Sequence, residues 1–138
     1  METKVVTLQS PSQIGRNLAL LGALALGVAA FLPWGKVEVT DFSVSGIEGD
    51  GIITLIVAIL AFVFLFIKKL PLWSVAILGI IAEVIGIIDI IEMNKVADYM
   101  NSGDLSKLFV DNTIGIGLYI TIIAAGMVTA GSLLQFFQ

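Results

Sequence analysis

Four apolar stretches separated by short polar breaks dominate the pattern of the chain. The first runs from about Asn17 to Leu32, with no charge between Arg16 and Lys36. The second runs from Gly51 to Ile67 and closes on Lys68 and Lys69. The third, Pro71 to Ile91, contains Glu83 and Asp89, and the fourth, Thr113 to Phe136, carries no charge. Apolar residues occupy all faces of these segments instead of one stripe, the mark of a helix with no water-facing side. A helix rising 1.5 Å per residue needs roughly 20 such residues to cross a bilayer. The pattern predicts an all-α integral membrane protein: one domain over residues 1–138, an antiparallel bundle of four transmembrane helices (17–32, 51–67, 71–91 and 113–136), and outer loops at 33–50 and 92–112.

The breaks have their own periods. Residues Val37 to Ser45 read VEVTDFSVS, an imperfect alternation with a break at Thr40 and Asp41, which predicts a small extracytoplasmic β-ribbon. Met93 to Asn112 has helical spacing at Val96, Tyr99 and Met100, then at Leu105, Leu108 and Phe109, interrupted at Asn101 to Gly103. It predicts short amphipathic helices at the outer interface. Pro33 should end the first helix, and Trp34 and Trp73 should anchor opposite interfaces. Ala29 and Ala30 resemble a signal-peptide cleavage region. The long leader before the apolar run, with only Lys4 and Arg16 as positives, favours a retained span.

Composition narrows the class. Hydrophobic residues make up 58% of the 138 positions and charged residues 13%, against about 25% charged in soluble domains. A small soluble domain cannot hide that much apolar surface. With no Cys and no His, the chain has no Cys or His nucleophile, no His ligand for haem, no zinc site of the usual kind and no disulfide. No nucleophile–base pair can be assembled, so the expectation is a protein that is not an enzyme and holds no cofactor. Its partners would be the lipid bilayer and a second copy or another membrane protein, and not nucleic acid. Four spans place both termini on one side, with Lys4, Arg16, Lys68 and Lys69; Lys36, Lys95 and Lys107 fall on the other, with most of the acids. The concentration of positives at span ends puts both termini in the cytoplasm of a multi-pass cell-membrane protein.

Glu83 is the one deep exception to the placement of charge. An acid at the bilayer centre costs at least ~2.5–3.5 kcal/mol on insertion scales. Gly79 and Gly86 lie within about 60° of it on the helix, and small residues let a second helix approach. Glu83 should therefore face a helix contact, inside the bundle or between subunits, with Thr121, Tyr119 and Asp89 as possible polar partners. It reads either as a proton or ion relay or as a neutral carboxyl that fixes packing by hydrogen bonding. On the fourth helix Gly115, Tyr119, Gly126 and Ala130 share a face, so Gly115 and Gly126 read as helix-packing positions. Glu48, Asp50, Asp89 and Glu92 could converge on a divalent cation. In SGIEGDGI no Walker lysine follows the glycines, which read as a turn with φ > 0, and Asp50 as the cap of the second helix.

Leu32, Pro33 and Trp34, the run SVSGIEGDGIITL from Ser43 to Leu55, and GIGLYITII from Gly115 to Ile123 resemble a group of small four-span prokaryotic membrane proteins to which no activity is assigned. The layout is also similar to claudin-like tetraspan proteins, with a Trp after the first helix and a β-rich first outer loop. The claudin Cys pair and the full GLW pattern are missing, so the resemblance implies architecture and not activity. Two functions follow as expectations: a non-enzymatic scaffold or self-associating interaction subunit, or an oligomeric channel or proton-coupled carrier using Glu83.

Overall fold

The computed structural model of the protein describes residues 11–37, 42–101 and 112–137. It is mostly helical, with four helices: α1 (Pro11–Ala29), α2 (Gly51–Phe66), α3 (Leu72–Asn101) and α4 (Ile116–Phe136). Three short strands, β1 (Pro33–Val37), β2 (Phe42–Ser45) and β3 (Asn112–Ile114), form one sheet in the order β2-β1-β3. The helix neighbours are α1 with α4, α4 with α3, α3 with α2 and α2 with α1, which closes a four-membered ring. A methyl group built on Gly15 would strike Gly131, and one on Gly22 would strike Ala124 and Val128, so α1 and α4 run antiparallel. The matches of Gly79 with Thr129 and Gly86 with Ile122 make α3 and α4 antiparallel in the same way.

The interior is lined by small side chains. Toward the end with the α2–α3 turn it holds Ala19, Ala23, Ala61, Leu65, Val75 and Val128. Toward the sheet it holds Leu26, Val57, Ala58, Ala82, Ala124 and Ala125. The large apolar residues point outward on every helix: Leu21, Leu24 and Val28 on α1, Ile52, Ile56 and Ile59 on α2, Ile77, Ile80 and Val84 on α3, Ile116 and Ile123 on α4. Soluble bundles invert this arrangement, since monomers in water rarely expose apolar patches beyond a few hundred Å².

Among the described residues two helices are long and apolar enough to cross a membrane: the stretch Leu72–Lys95 of α3, and α4. Helix α2, at 16 residues, is about 24 Å long and shorter than a ~30 Å hydrocarbon core. Helix α1 begins at Pro11, a residue suited to the first helical position, and its first turns carry Gln13, Arg16 and Asn17, which shorten its apolar stretch.

Several boundaries differ from the hydropathy reading. Helix α1 ends at Ala29 because Pro33 and Trp34 already belong to β1. The β-element is larger than a two-strand ribbon: Lys36 pairs with Ser43 on one side and Thr113 on the other, so Thr113, read as the start of the fourth helix, is a strand residue. The bend expected at Thr40 and Asp41 lies outside the described residues. Helix α3 continues through Met93 to Asn101 instead of ending at Ile91, so Val96, Tyr99 and Met100 extend a helix whose period they share. Leu105, Leu108 and Phe109 lie outside the described residues.

Trp34 is not an exposed anchor. Its side chain is 6% exposed and its Nε1 donates to the Ala29 carbonyl at 2.9 Å. Gly46 and Gly117 abut the ring, leaving no room for a Cβ at either position. The indole thus plugs the bundle beneath the sheet, where burial of a large aromatic with its N–H satisfied is stabilising. Trp73, at the opposite end, is 53% exposed.

Candidate functional site

The carboxylates expected to converge at the sheet end do so only in part. Asp50 occupies the N-cap position of α2 without making a capping hydrogen bond. Its carboxyl faces Asp89 of α3 instead, and Glu92 is the next charged neighbour of Asp89. Asp89 Oδ2 is buried without a hydrogen-bond partner among the described residues. Glu48 is drawn away: one of its oxygens accepts from the Ser45 backbone N–H at 2.9 Å and from the Ser45 hydroxyl at 3.1 Å. That pairing secures the short 3-10 turn Gly46–Glu48. Among the described residues no group of three or more acidic side chains forms a metal-sized cluster. The four-carboxylate arrangement therefore reduces to the Asp50–Asp89 pair, because the local Ser45–Glu48 pairing outcompetes a long-range one.

The glycines of SGIEGDGI also act differently from expectation. No described glycine has a positive φ. Gly46 makes space for the Trp34 ring, and Gly51 lies against the Gly46 backbone. Close approach, not a left-handed turn, is what these positions require.

Glu83 lies at the centre of the apolar stretch Leu72–Lys95 of α3, as its twelfth residue. It is half-buried, and no hydrogen bond to a described residue holds its carboxyl. None of the three partners expected from the sequence reaches it. Thr121 is fully buried, and its hydroxyl donates to the Gly117 carbonyl of its own helix at 2.9 Å, which turns its methyl toward Gly86. Tyr119 is 51% exposed. Asp89, six residues along α3, points about 120° away and meets Asp50.

The glycines named from sequence divide into three groups. Gly79 and Gly86 sit in the α3–α4 contact: a Cβ on Gly79 would lie 2.9 Å from the Thr129 nitrogen, and one on Gly86 2.9 Å from Ile122 Cγ1. Gly115 packs against a strand, not a helix; its N–H donates to the Trp34 carbonyl at 2.6 Å, and a Cβ would strike Pro33. Gly126 meets no other described element: beyond its own helix backbone no described atom lies within 4 Å of its Cβ position, because the register turns this side of α4 outward.

The α3–α4 register explains where Glu83 ends up. Gly79 matches Ala125 and Thr129, and Gly86 matches Thr121 and Ile122, so Glu83 is level with Ala125. On α3, Ala82 and Val75 turn toward α2 and the core, and Glu83 lies on the other side of the contact line. On α4, Ala124 and Val128 turn toward α1, leaving Tyr119, Gly126 and Ala130 on the same outer side as Glu83. Glu83 and Gly126 thus share the outward side of the α3–α4 seam.

Polar groups inside the bundle are few. Among the described residues the buried ones are Thr54, Thr121 and Ser132. Ser132 donates to the Val128 carbonyl at 2.7 Å, whereas Thr54 Oγ1, like Asp89 Oδ2, lacks a partner among the described residues. At the turn end, Arg16 rests over the Phe66 ring, 5.6 Å from its centroid. A groove of about 330 Å³ beside it is lined by Gln13, Arg16, Asn17 and Leu20.

Sequence reasoning missed Trp34 as a plug and Thr54 as an orphan hydroxyl. A signal for the first was present in Gly46, which was read as a turn residue although a buried indole needs such a neighbour. Compared with protein-family models, with curated proteins and with solved structures, the chain matches none.

Proposed function

We propose that this is a non-enzymatic, multi-pass membrane protein that acts as an interaction subunit, its four helices spanning the cell membrane with both termini cytoplasmic. The outward crown of Ile, Leu and Val on all four helices supports four spans. With Ala30 to Leu32 the α1 segment covers 22 residues, and with Ile67 the α2 segment covers 17, the short end of the range that crosses a bilayer. The cations support the orientation: among the described residues Arg16, Lys68 and Lys69 mark the turn end, against Lys36 and Lys95 toward the sheet end. A claudin-like arrangement of helices and outer sheet belongs to the same reading.

One observation carries the interaction role: the interior is closed by small side chains, whereas the outward side at Glu83 and Gly126 is left unfilled. The few buried hydroxyls line no continuous path through the bundle, so conduction within one copy has no support. Nitroxide labels compare the two surfaces directly. In native membranes, a label on Ala130→Cys should be several-fold less accessible to dissolved oxygen than one on Ile59→Cys, an outward position of α2. Equal accessibility would show that lipid alone covers the α3–α4 side and would overturn the reading. Proton flux through vesicles that Glu83→Gln abolishes would favour a channel or carrier instead. For the orientation, a membrane-impermeant maleimide should label Ser43→Cys in intact cells and Lys68→Cys only after permeabilisation; the reverse would invert the topology.

A further inference from the structure

We propose that the outward side of the α3–α4 seam receives a transmembrane helix of another protein, and that this helix carries a Lys or Arg at mid-span which meets Glu83. The proposal rests on the reading of the chain as an interaction subunit and names the partner's chemistry.

Three observations lead to it. Glu83 sits at the middle of the α3 span with no hydrogen bond to any described residue. Acids at that depth are costly and almost always pair with another polar group. On the same outward side, at nearly the same level of α4, Gly126 leaves its Cβ position open to beyond 4 Å, and Ala130 one turn along is exposed. A carboxyl beside a backbone that another helix can approach closely is a combination suited to helix docking.

Charge then selects the occupant. The chain has no Lys or Arg between Arg16 and Lys36, between Lys36 and Lys68, between Lys69 and Lys95, or after Lys107. Every cation therefore lies at a span end or in a loop. A second copy packed in the same orientation would bring to this depth only another Glu83 and Thr129, whose hydroxyl already donates to the Ala125 carbonyl at 3.0 Å. Neither group supplies a cation, so charge complementarity to a carboxylate calls for a foreign helix that carries one.

Synthetic membrane-spanning helices test this in vesicles of phosphatidylcholine. One leucine–alanine helix carries Lys at its centre; its twin carries Leu. The full chain has no native Cys, so a dye on Phe137→Cys, at the exposed end of α4, reports energy transfer without touching the seam. The Lys helix should associate about tenfold more tightly than the Leu helix. Glu83→Leu should erase the preference. Gly126→Leu, which keeps the carboxyl but fills the space, should weaken binding of the Lys helix, and neither variant should lower the melting temperature in detergent. Equal binding of the two helices to the wild type, or a preference that survives Glu83→Leu, overturns the proposal. If, in addition, labelled copies transfer energy to one another and Gly126→Leu stops them, the occupant is a second copy: the cationic partner falls and the interaction reading stands. If neither helix nor a second copy binds, both fall.

Discussion

The two sides of α4 are built from the same kinds of residue and have opposite fates. Toward α1 it presents Ala124, Val128 and Gly131, and a Cβ on Gly131 would lie 2.5 Å from the Ala19 nitrogen and the Gly15 oxygen. Toward the outside it presents Gly126 and Ala130, and no other described element comes within 4 Å of the Gly126 Cβ position. A small-residue stripe is thus a permission for close approach and not a record of it. What occupies each side is decided by which helix the loops bring alongside.

Four substitutions sharpen this contrast. The largest effect is expected from Gly131→Leu, where the new side chain meets backbone and cannot be absorbed by a rotamer change. It should cost about 3 kcal/mol or more, and the monomer peak in size-exclusion chromatography should be lost. Glu83→Leu comes next, with the opposite sign: removing an intramembrane acid should favour insertion of α3 by roughly 2.5–3.5 kcal/mol in a translocon insertion assay. Gly22→Ala, whose Cβ would lie 2.8 Å from the Ala124 oxygen and the Val128 nitrogen, should destabilise by about 1–2 kcal/mol in detergent melting. Gly126→Ala should instead stabilise by about 0.5–1 kcal/mol, because an open helical glycine gains from the better propensity of alanine. Equal penalties at positions 22 and 126 would show that the two sides of α4 are not different.

The helices were legible because their signal is local. A run of apolar residues without charge specifies a helix and its approximate limits whatever its neighbours are. The sheet was less so. The ribbon at Phe42 to Ser45 announced itself by alternation, but β3 is three residues long and contiguous with the apolar start of α4. Its strand character comes from pairing with β1, a contact between residues about 75 positions apart in sequence.

The candidate site shows the same division. Glu83 stood out as the lone deep charge, and Gly79 and Gly86 as its small neighbours. Its expected partners were misjudged because a hydroxyl on a helix can satisfy itself: Thr121 donates to its own Gly117 carbonyl and leaves nothing for a neighbour. Asp50 was read as a cap, yet its side chain turns to Asp89. Glu48 was grouped with the acids, yet Ser45, three residues before it, holds it locally.

Residue order alone settles that four apolar helices form, that charge gathers at their ends, and that one carboxyl is left at the middle of the third. These are properties of single segments, set by hydropathy and helical rise. The ring of helices, the burial of Trp34 and the outward turn of Glu83 and Gly126 are decided only in three dimensions. They depend on the register in which α4 meets α1 on one side and α3 on the other, and a shift of one residue rotates every side chain on a helix by about 100°.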